Sequence, residues 1–277
     1  MAELEDADYE LHRKSFSDVL QGIRQVMSEN YGLKEVSVRP VGAGGARLSI
    51  PVKIEGIDPE GKSVRYFGKI LGNSEIITSR TIQLFKNIYL ATTDMKPVFG
   101  ISKNAQDLAR HQHESLKAIY DLGIPTAKPM GYYPLNGNLW LVVAEFLIAK
   151  PVSSVKEVSI GLLDTVFGYL RKMHKNNVYH GDIKPENIMI GDKVYIIDVG
   201  NLSDDADPAQ KQAYDVACQV ASFVGCCKLE EIVHSARRHY SRKELKEAAE
   251  YLDLIQQRPD IYLSEETKSK LLELMKR

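Results

Sequence analysis

The stretch from His180 to Gly200, HGDIKPENIMIGDKVYIIDVG, restricts the fold more than any other part of the chain. It holds two acids, Asp182 and Asp198, sixteen positions apart, with Asn187 five positions after the first. Two short apolar runs, Asn187–Ile190 and Val194–Ile197, flank the triplet Gly191-Asp192-Lys193. Apolar runs on either side of a Gly/Asp turn predict a β-hairpin set between two loops. A hairpin returns both of its ends to one place, so Asp182, Asn187 and Asp198 are predicted to converge. Hard oxygen donors gathered at one point suit a divalent cation and a phosphate.

The rest of the composition is that of an ordinary globular protein. A chain of 277 residues, 44% hydrophobic and 26% charged, can bury a real core and suits one large or two small domains. The net charge of −1 gives no electrostatic reason to expect a nucleic-acid partner. No apolar run approaches membrane-spanning length, and the acidic start MAELEDADYELHRK lacks a secretory apolar core, so a cytoplasmic location is expected. Cys218, Cys226 and Cys227 are sparse and odd in number, which reads as reduced thiols. No Cys/His spacing suggests a zinc site.

Residues 9–31 carry helical periodicity ended by Gly32. Three strands follow, over about Val36–Val41, Arg47–Ile54 and Ser63–Leu71. Between the first two lies Gly42-Ala43-Gly44-Gly45, a turn whose backbone N–H groups can approach phosphate oxygens without Cβ obstruction. Lys69 interrupts an apolar strand, a costly position unless the cation is paired or turned into a cleft. Helices are predicted at Ser74–Leu90, Ala105–Leu122 and Ser159–Asn176, with a buried strand at Leu139–Phe146. Asp207-Pro208 marks a helix start, an N-cap followed by proline at the first helical position. Ser241-x-x-Glu244 is a capping box predicted to open a helix over Arg242–Gln257, and Ser264 or Glu265 opens the last one.

The motifs together resemble the protein-kinase-like superfamily. His180-Gly181-Asp182-Ile183-Lys184-Pro185-Glu186-Asn187 is similar to that family's catalytic loop, and Asp198-Val199-Gly200 to its metal-binding D-F-G turn. The resemblance implies an α+β, two-lobed fold: a small antiparallel-sheet lobe, a mostly helical large lobe, and ATP between them. It implies boundaries at 1–35 for an N-terminal helical extension, 36–147 for the small lobe with a helical insertion at about 73–104, and 148–277 for the large lobe. Carried over by position, Asp182 orients the attacking hydroxyl, while Lys184 and Lys69 face phosphate. Asn187 and Asp198 hold Mg²⁺ or Mn²⁺. Gly42, Ala43, Gly44 and Gly45 cover the nucleotide, and Glu145 and Leu147 flank the adenine edge. Asp215 resembles the buried aspartate that ties the catalytic loop to the large lobe. The family also has a glutamate paired with the strand lysine. The Gly123-Ile124-Pro125-Thr126 turn, resembling that of small atypical kinases, puts Gln112 at its usual place. Glu114, about 200° further round the helix, is then the expected partner of Lys69 after a shift of register, with Glu75 the alternative.

Departures from the family pattern sharpen the expectation. No A-P-E motif follows Gly200, and glycine replaces the usual arginine at position 181, which implies a kinase without activation-loop phosphorylation control. The resemblance is to the small atypical branch: RIO-type, tRNA-modification-associated and lipopolysaccharide-core kinases. The expected activity is γ-phosphoryl transfer from ATP to a hydroxyl. Lys184 favours a Ser/Thr protein acceptor, and the G-I-P-T turn leaves a sugar, lipid or other small molecule open. A nucleotide-binding regulator or slow ATPase is the third alternative.

Overall fold

A computed structural model describes residues 2–41, 50–72, 98–100 and 102–277. The Gly42–Gly45 turn, Glu75 and the predicted helix at 74–90 lie outside the described residues. The chain divides into two compact units, and the backbone crosses between them several times, within the helix at 105–121 and last between Phe146 and Leu147.

In the first unit, helix α1 (Ala2–Tyr31) precedes strands β1 (Lys34–Pro40), β2 (Ile50–Ile57) and β3 (Ser63–Leu71). Gly32, at φ +65°, donates its N–H to the Ser28 carbonyl and ends α1 in a left-handed cap that glycine adopts without a Cβ clash. Strands β4 (Pro129–Pro134) and β5 (Trp140–Glu145) complete an antiparallel sheet of order β1-β2-β3-β5-β4. The sequence does not announce β4, because proline stands at both of its ends. Its place at the sheet edge is where missing N–H donors are tolerated.

Side chains alternate across the sheet, so each face has its own partner. Ile54, Ile70, Leu141 and Val143 pack with Ile23 and Met27 of α1. Burying each such side chain is worth about 1.5–3 kcal/mol, which makes α1 part of this unit's core. Lys69 stands opposite Pro51 and Val142, and so lies on the other face. There Leu71 and Val142 meet Leu108 and Ala109 of helix α2 (Ala105–Asp121).

The second unit is mostly helical: α3 (Ile160–Lys175), α4 (Pro208–Ser222), α5 (Leu229–His239), α6 (Arg242–Ala249), α7 (Leu252–Gln256) and α8 (Glu265–Lys276). Ser159, Asp207, Ser241 and Ser264 each cap a helix by accepting a backbone N–H, as their spacing predicts. The predicted helix over Arg242–Gln257 is instead broken at Glu250–Tyr251. There the backbone turns through Glu250 N–H to Glu247 O and Tyr251 N–H to Ala248 O. The break buries the Tyr251 ring edge-on against Tyr214. Strand β6 (Lys150–Pro151), also absent from the sequence reading, joins β7 (Ile188–Ile190) and β8 (Val194–Ile196) in a small antiparallel sheet.

Glu244 locks α3, α4 and α6 together. Its carboxylate accepts from Arg171 Nη1 at 2.7 Å, Gln212 Nε2 at 2.8 Å and the Ser241 N–H at 2.7 Å. Burial pushes this carboxyl up, but the bonds from Ser241, Arg171 and Gln212 outweigh it and hold the group at about 2, against an ordinary 4.5. A depressed carboxyl contributes stability above its unfolded value and loses it as pH falls through the folded one. The wild type should therefore lose stability between about pH 4.5 and about pH 2. Glu244→Gln should be less stable at neutral pH and flatter over that window in urea titrations. An unchanged slope would remove Glu244 as the source.

Candidate active site

The predicted hairpin is β7–β8, with Ile188 opposite Ile196 and Ile190 opposite Val194. Its open end gathers the loops on either side. Ile197 N–H donates to the Asn187 carbonyl at 2.9 Å, and Gly200 N–H to the His180 carbonyl at 2.8 Å. The two loops are thus stitched backbone to backbone. Gly200 has to be glycine: a Cβ there would sit 2.6 Å from the Gly181 carbonyl carbon and oxygen. Gly181 lies at φ +76°, the left-handed region, which is a local reason for glycine at that position.

Asp215 on α4 holds the catalytic-type loop from beneath. It is fully buried, and its two oxygens accept the N–H groups of His180 and Gly181, each at 2.7 Å. His174 Nε2 approaches the same carboxylate at 3.3 Å, while Tyr240 OH donates to His174 Nδ1 at 3.0 Å. His180 is also fully buried, and burial lowers its pKa, so the ring is neutral. Asp182 N–H donates to His180 Nδ1 at 3.2 Å. The remaining ring proton therefore sits on Nε2, which donates to the Ile197 carbonyl at 3.1 Å.

Four of the predicted residues come together here. Asn187 is buried, and its Nδ2 donates to the Asp182 carbonyl at 2.8 Å, to Asp182 Oδ2 at 3.4 Å and to the Asp198 carbonyl at 3.3 Å. Lys184 Nζ lies 3.1 Å from Asp182 Oδ2. Burial lowers the Lys184 pKa, but Asp182, Asp260 and Asp198 together raise it above its ordinary value, so the ammonium stays charged. Asp198 sits half-buried at φ +56°, a strained region for a residue with a Cβ and one found at functional turns.

A metal fits this donor set. Asn187 spends its amide nitrogen on the loop, which leaves its oxygen as the atom to ligate, with the Asp198 carboxylate the second candidate donor. One or two protein oxygens completed by phosphate and water is how Mg²⁺ is usually held. Among the described residues, no three His, Cys, Asp or Glu side chains form a metal-binding group, so the set is the amide and carboxylate type.

The remaining predicted residues fall elsewhere. Lys69 is half-buried on β3 and Glu145 is exposed at the end of β5, both in the first unit. Leu147 is half-buried in the second. Glu114 is exposed, about 140° round α2 from the buried Ala109, whereas Gln112 is partly buried. Gly42, Ala43, Gly44 and Gly45 lie outside the described residues.

Two features were not legible in the sequence. Arg258, from the turn after α7, donates to Asp182 Oδ1 at 2.7 Å, and its neighbour Asp260 lies 3.5 Å from Lys184. The segment after Gly200 is also held. Phe99 and Leu202 form an antiparallel bridge, with Gly100 N–H donating to Asn201 O at 2.9 Å and Ser203 N–H to Val98 O at 2.8 Å. Phe99 is buried edge-on against Tyr214, ring centres 5.0 Å apart. Phe99→Ala should cost about 3–5 kcal/mol and speed proteolytic cleavage after Gly200. A loss below about 1 kcal/mol in urea unfolding would show that this contact does not hold the segment.

An antiparallel sheet bearing a half-buried lysine, a helical unit, and a hairpin joining an H-G-D loop to a D-V-G turn are the features in which this chain is similar to protein-kinase-like proteins. No protein-family model matches it. It is 27% identical over 126 residues to the RIO-type serine/threonine-protein kinase Rio1 of Thermoplasma acidophilum, covering 44% of this chain and 60% of that one. It is 48% identical over 48 residues to a putative serine/threonine-protein kinase of Acanthamoeba polyphaga mimivirus, 17% of each protein. The chain thus spans 60% and 17% of the length of these two curated relatives. Similar solved structures include a putative fructosamine-3-kinase from Haemophilus somnus, with TM-score 0.48, 10% identity, and 94% and 97% of the two chains covered. Another is the Rio2 kinase of Chaetomium thermophilum in an ADP/Mg²⁺-phosphoaspartate complex, with TM-score 0.46, 14% identity, and 92% and 74% covered.

Proposed function

We propose that the protein is an ATP-dependent phosphotransferase that moves the γ-phosphoryl group to a hydroxyl, with serine or threonine of a protein as acceptor. The observation that carries this reading is the convergence of Asp182, Lys184, Asn187 and Asp198 at one end of the hairpin, fixed by the Gly200-to-His180 and Asn187-to-Asp182 bonds. The protein acceptor is supported by Lys184, and by the serine/threonine-kinase names of the relatives matched in sequence.

In this reading Asp182 accepts the hydrogen bond of the incoming hydroxyl and aligns its oxygen with the phosphorus. Lys184, already charged, moves part of its bonding from Asp182 to the transferring phosphoryl as negative charge gathers there. Asn187 and Asp198 hold Mg²⁺ or Mn²⁺, which neutralises the nucleotide phosphates when bound. Most of the rate comes from positioning and charge stabilisation. A cytoplasmic setting belongs to the same reading, in line with three cysteines outside any disulfide. Among the described residues no helix is long and apolar enough to cross a membrane.

The test is transfer of label from γ-labelled ATP, with Mg²⁺ and with Mn²⁺, to the protein itself and to a generic basic protein. Label on serine or threonine supports the reading. Tight metal-dependent ATP binding without label on protein would move the acceptor to a small molecule, and no turnover under any condition would remove the transferase reading.

A further inference from the structure

The turn after α7 reaches the proposed catalytic acid with a fully engaged arginine. Arg258 has a side chain only 4% exposed, yet it stands 76 residues from Asp182 in sequence. Nε and Nη2 form a two-pronged pair with the Asp260 carboxylate, at 2.9 and 2.7 Å. Nη2 also meets Asp182 Oδ1 at 2.7 Å. Nη1 bonds to Tyr214 OH at 3.0 Å and Cys218 Sγ at 3.6 Å. A guanidinium has five N–H donors, and every one is used. Pro259 fixes the turn between the arginine and its acid.

The charges close into a ring. Arg258 joins Asp182 to Asp260, and Lys184 joins the same two acids from the other side, 3.1 Å from Asp182 and 3.5 Å from Asp260. Two cations alternate with two anions, so no member is an uncompensated charge. The two oxygens of Asp182 are then unequal. Oδ1 is committed to a short charged bond from a buried arginine whose five donors are all engaged. Among the described residues, Oδ2 has the longer contacts from Lys184 at 3.1 Å and Asn187 at 3.4 Å.

We propose that Arg258, backed by Asp260, is a positioning residue that fixes the rotation of the Asp182 carboxylate and reserves its Oδ2 for the acceptor hydroxyl. This rests on the phosphotransferase reading above. Without Arg258, Asp182 turns about its side-chain bonds and samples orientations in which the hydroxyl is off line. A misplacement of about 1 Å costs on the order of 100-fold in rate. Lysine at 258 cannot form the two-pronged pair, so it restores the charge but not the orientation.

The experiment compares wild type, Arg258→Met, Arg258→Lys and Asp260→Asn in steady-state turnover of γ-labelled ATP with Mg²⁺. Label on protein and label released as phosphate are counted together, well below each variant's melting temperature. Arg258→Met should lower kcat about 10–100-fold with KM for ATP within about threefold. Arg258→Lys should fall between it and wild type. Asp260→Asn, at a carboxylate 31% exposed, is the milder variant and keeps the test alive if Arg258→Met does not fold; it should lower kcat severalfold at unchanged KM. A purely structural role would move melting temperature and leave kcat near wild type in the folded variants. That result, or a rise in KM matching the fall in kcat/KM, overturns this proposal alone. Absence of turnover in the wild type overturns it together with the phosphotransferase reading.

Discussion

Asp182→Asn should lower phosphoryl transfer by about 10²–10⁴-fold while nucleotide binding stays within a few-fold of wild type. The substitution keeps the shape of the side chain and an oxygen for Arg258, whose 2.7 Å bond anchors one side of the group. It removes the charge that orients and polarises an incoming hydroxyl. It also leaves Lys184 and Arg258 facing Asp260 as the one remaining anion of the ring. A modest fall in melting temperature is therefore expected alongside the loss of rate. Binding of Mg²⁺-ATP, followed by titration calorimetry, separates the two effects. If transfer persisted at more than about a tenth of the wild-type rate, Asp182 would not be the residue that aligns the acceptor. If binding collapsed with transfer, the side chain would be holding the site together rather than acting in it.

Asp215→Ala should be the most destabilising single change near the site. The carboxylate is inaccessible to water and receives the His180 and Gly181 N–H groups and the His174 ring. Alanine leaves three buried donors without an acceptor, each costing about 1–3 kcal/mol. The expected loss of about 3–9 kcal/mol is a large share of the 5–15 kcal/mol that folded domains typically have. Activity should fall further than stability alone explains, because the loop carrying Asp182 starts from the two residues that Asp215 holds. Urea unfolding of the variant, followed by a probe in the helical unit, measures the loss. A change under about 1 kcal/mol would mean that water or a neighbouring side chain takes over all three bonds, and that Asp215 is not the anchor its geometry suggests.

The parts of this architecture that were legible are those written within a few residues of sequence. The strand Ser63–Leu71 was read to the residue, and the hairpin was legible in two apolar runs around Gly191-Asp192-Lys193. Ser159, Asp207 and Ser241 announced their helices because an N-cap acts on an N–H two or three residues away. The family's buried aspartate could be placed at Asp215 by spacing, and its bonds to His180 and Gly181 are present. Other elements gave no such signal. β4 is hidden by its prolines, and β6, of two residues, is too short for any periodicity. The helix expected over Arg242–Gln257 breaks because burying Tyr251 and Leu252 outweighs continuing a helix that local propensity alone would have extended. Counting put Gln112 at the place of the family's glutamate, with Glu114 the expected partner of Lys69 after a shift of register; on α2 Gln112 is partly buried and Glu114 exposed.

The sequence by itself determined that an acid, an amide and a second acid would meet at the end of a hairpin, because the order and length of the segments between them leave the chain few other ways to close. Only the tertiary structure decided what grips that group. Asp215 lies 34 and 35 residues from the N–H groups it accepts, and Arg258 lies 76 from Asp182. Phe99 bridges to Leu202 across a longer separation still, 103 residues. Nothing in the local pattern of an arginine before a proline, or of a phenylalanine before a glycine, names a partner that far away. Those contacts exist because the helical core, once packed, brings distant side chains within hydrogen-bonding distance and leaves a buried guanidinium no favourable arrangement except beside the two carboxylates it finds there.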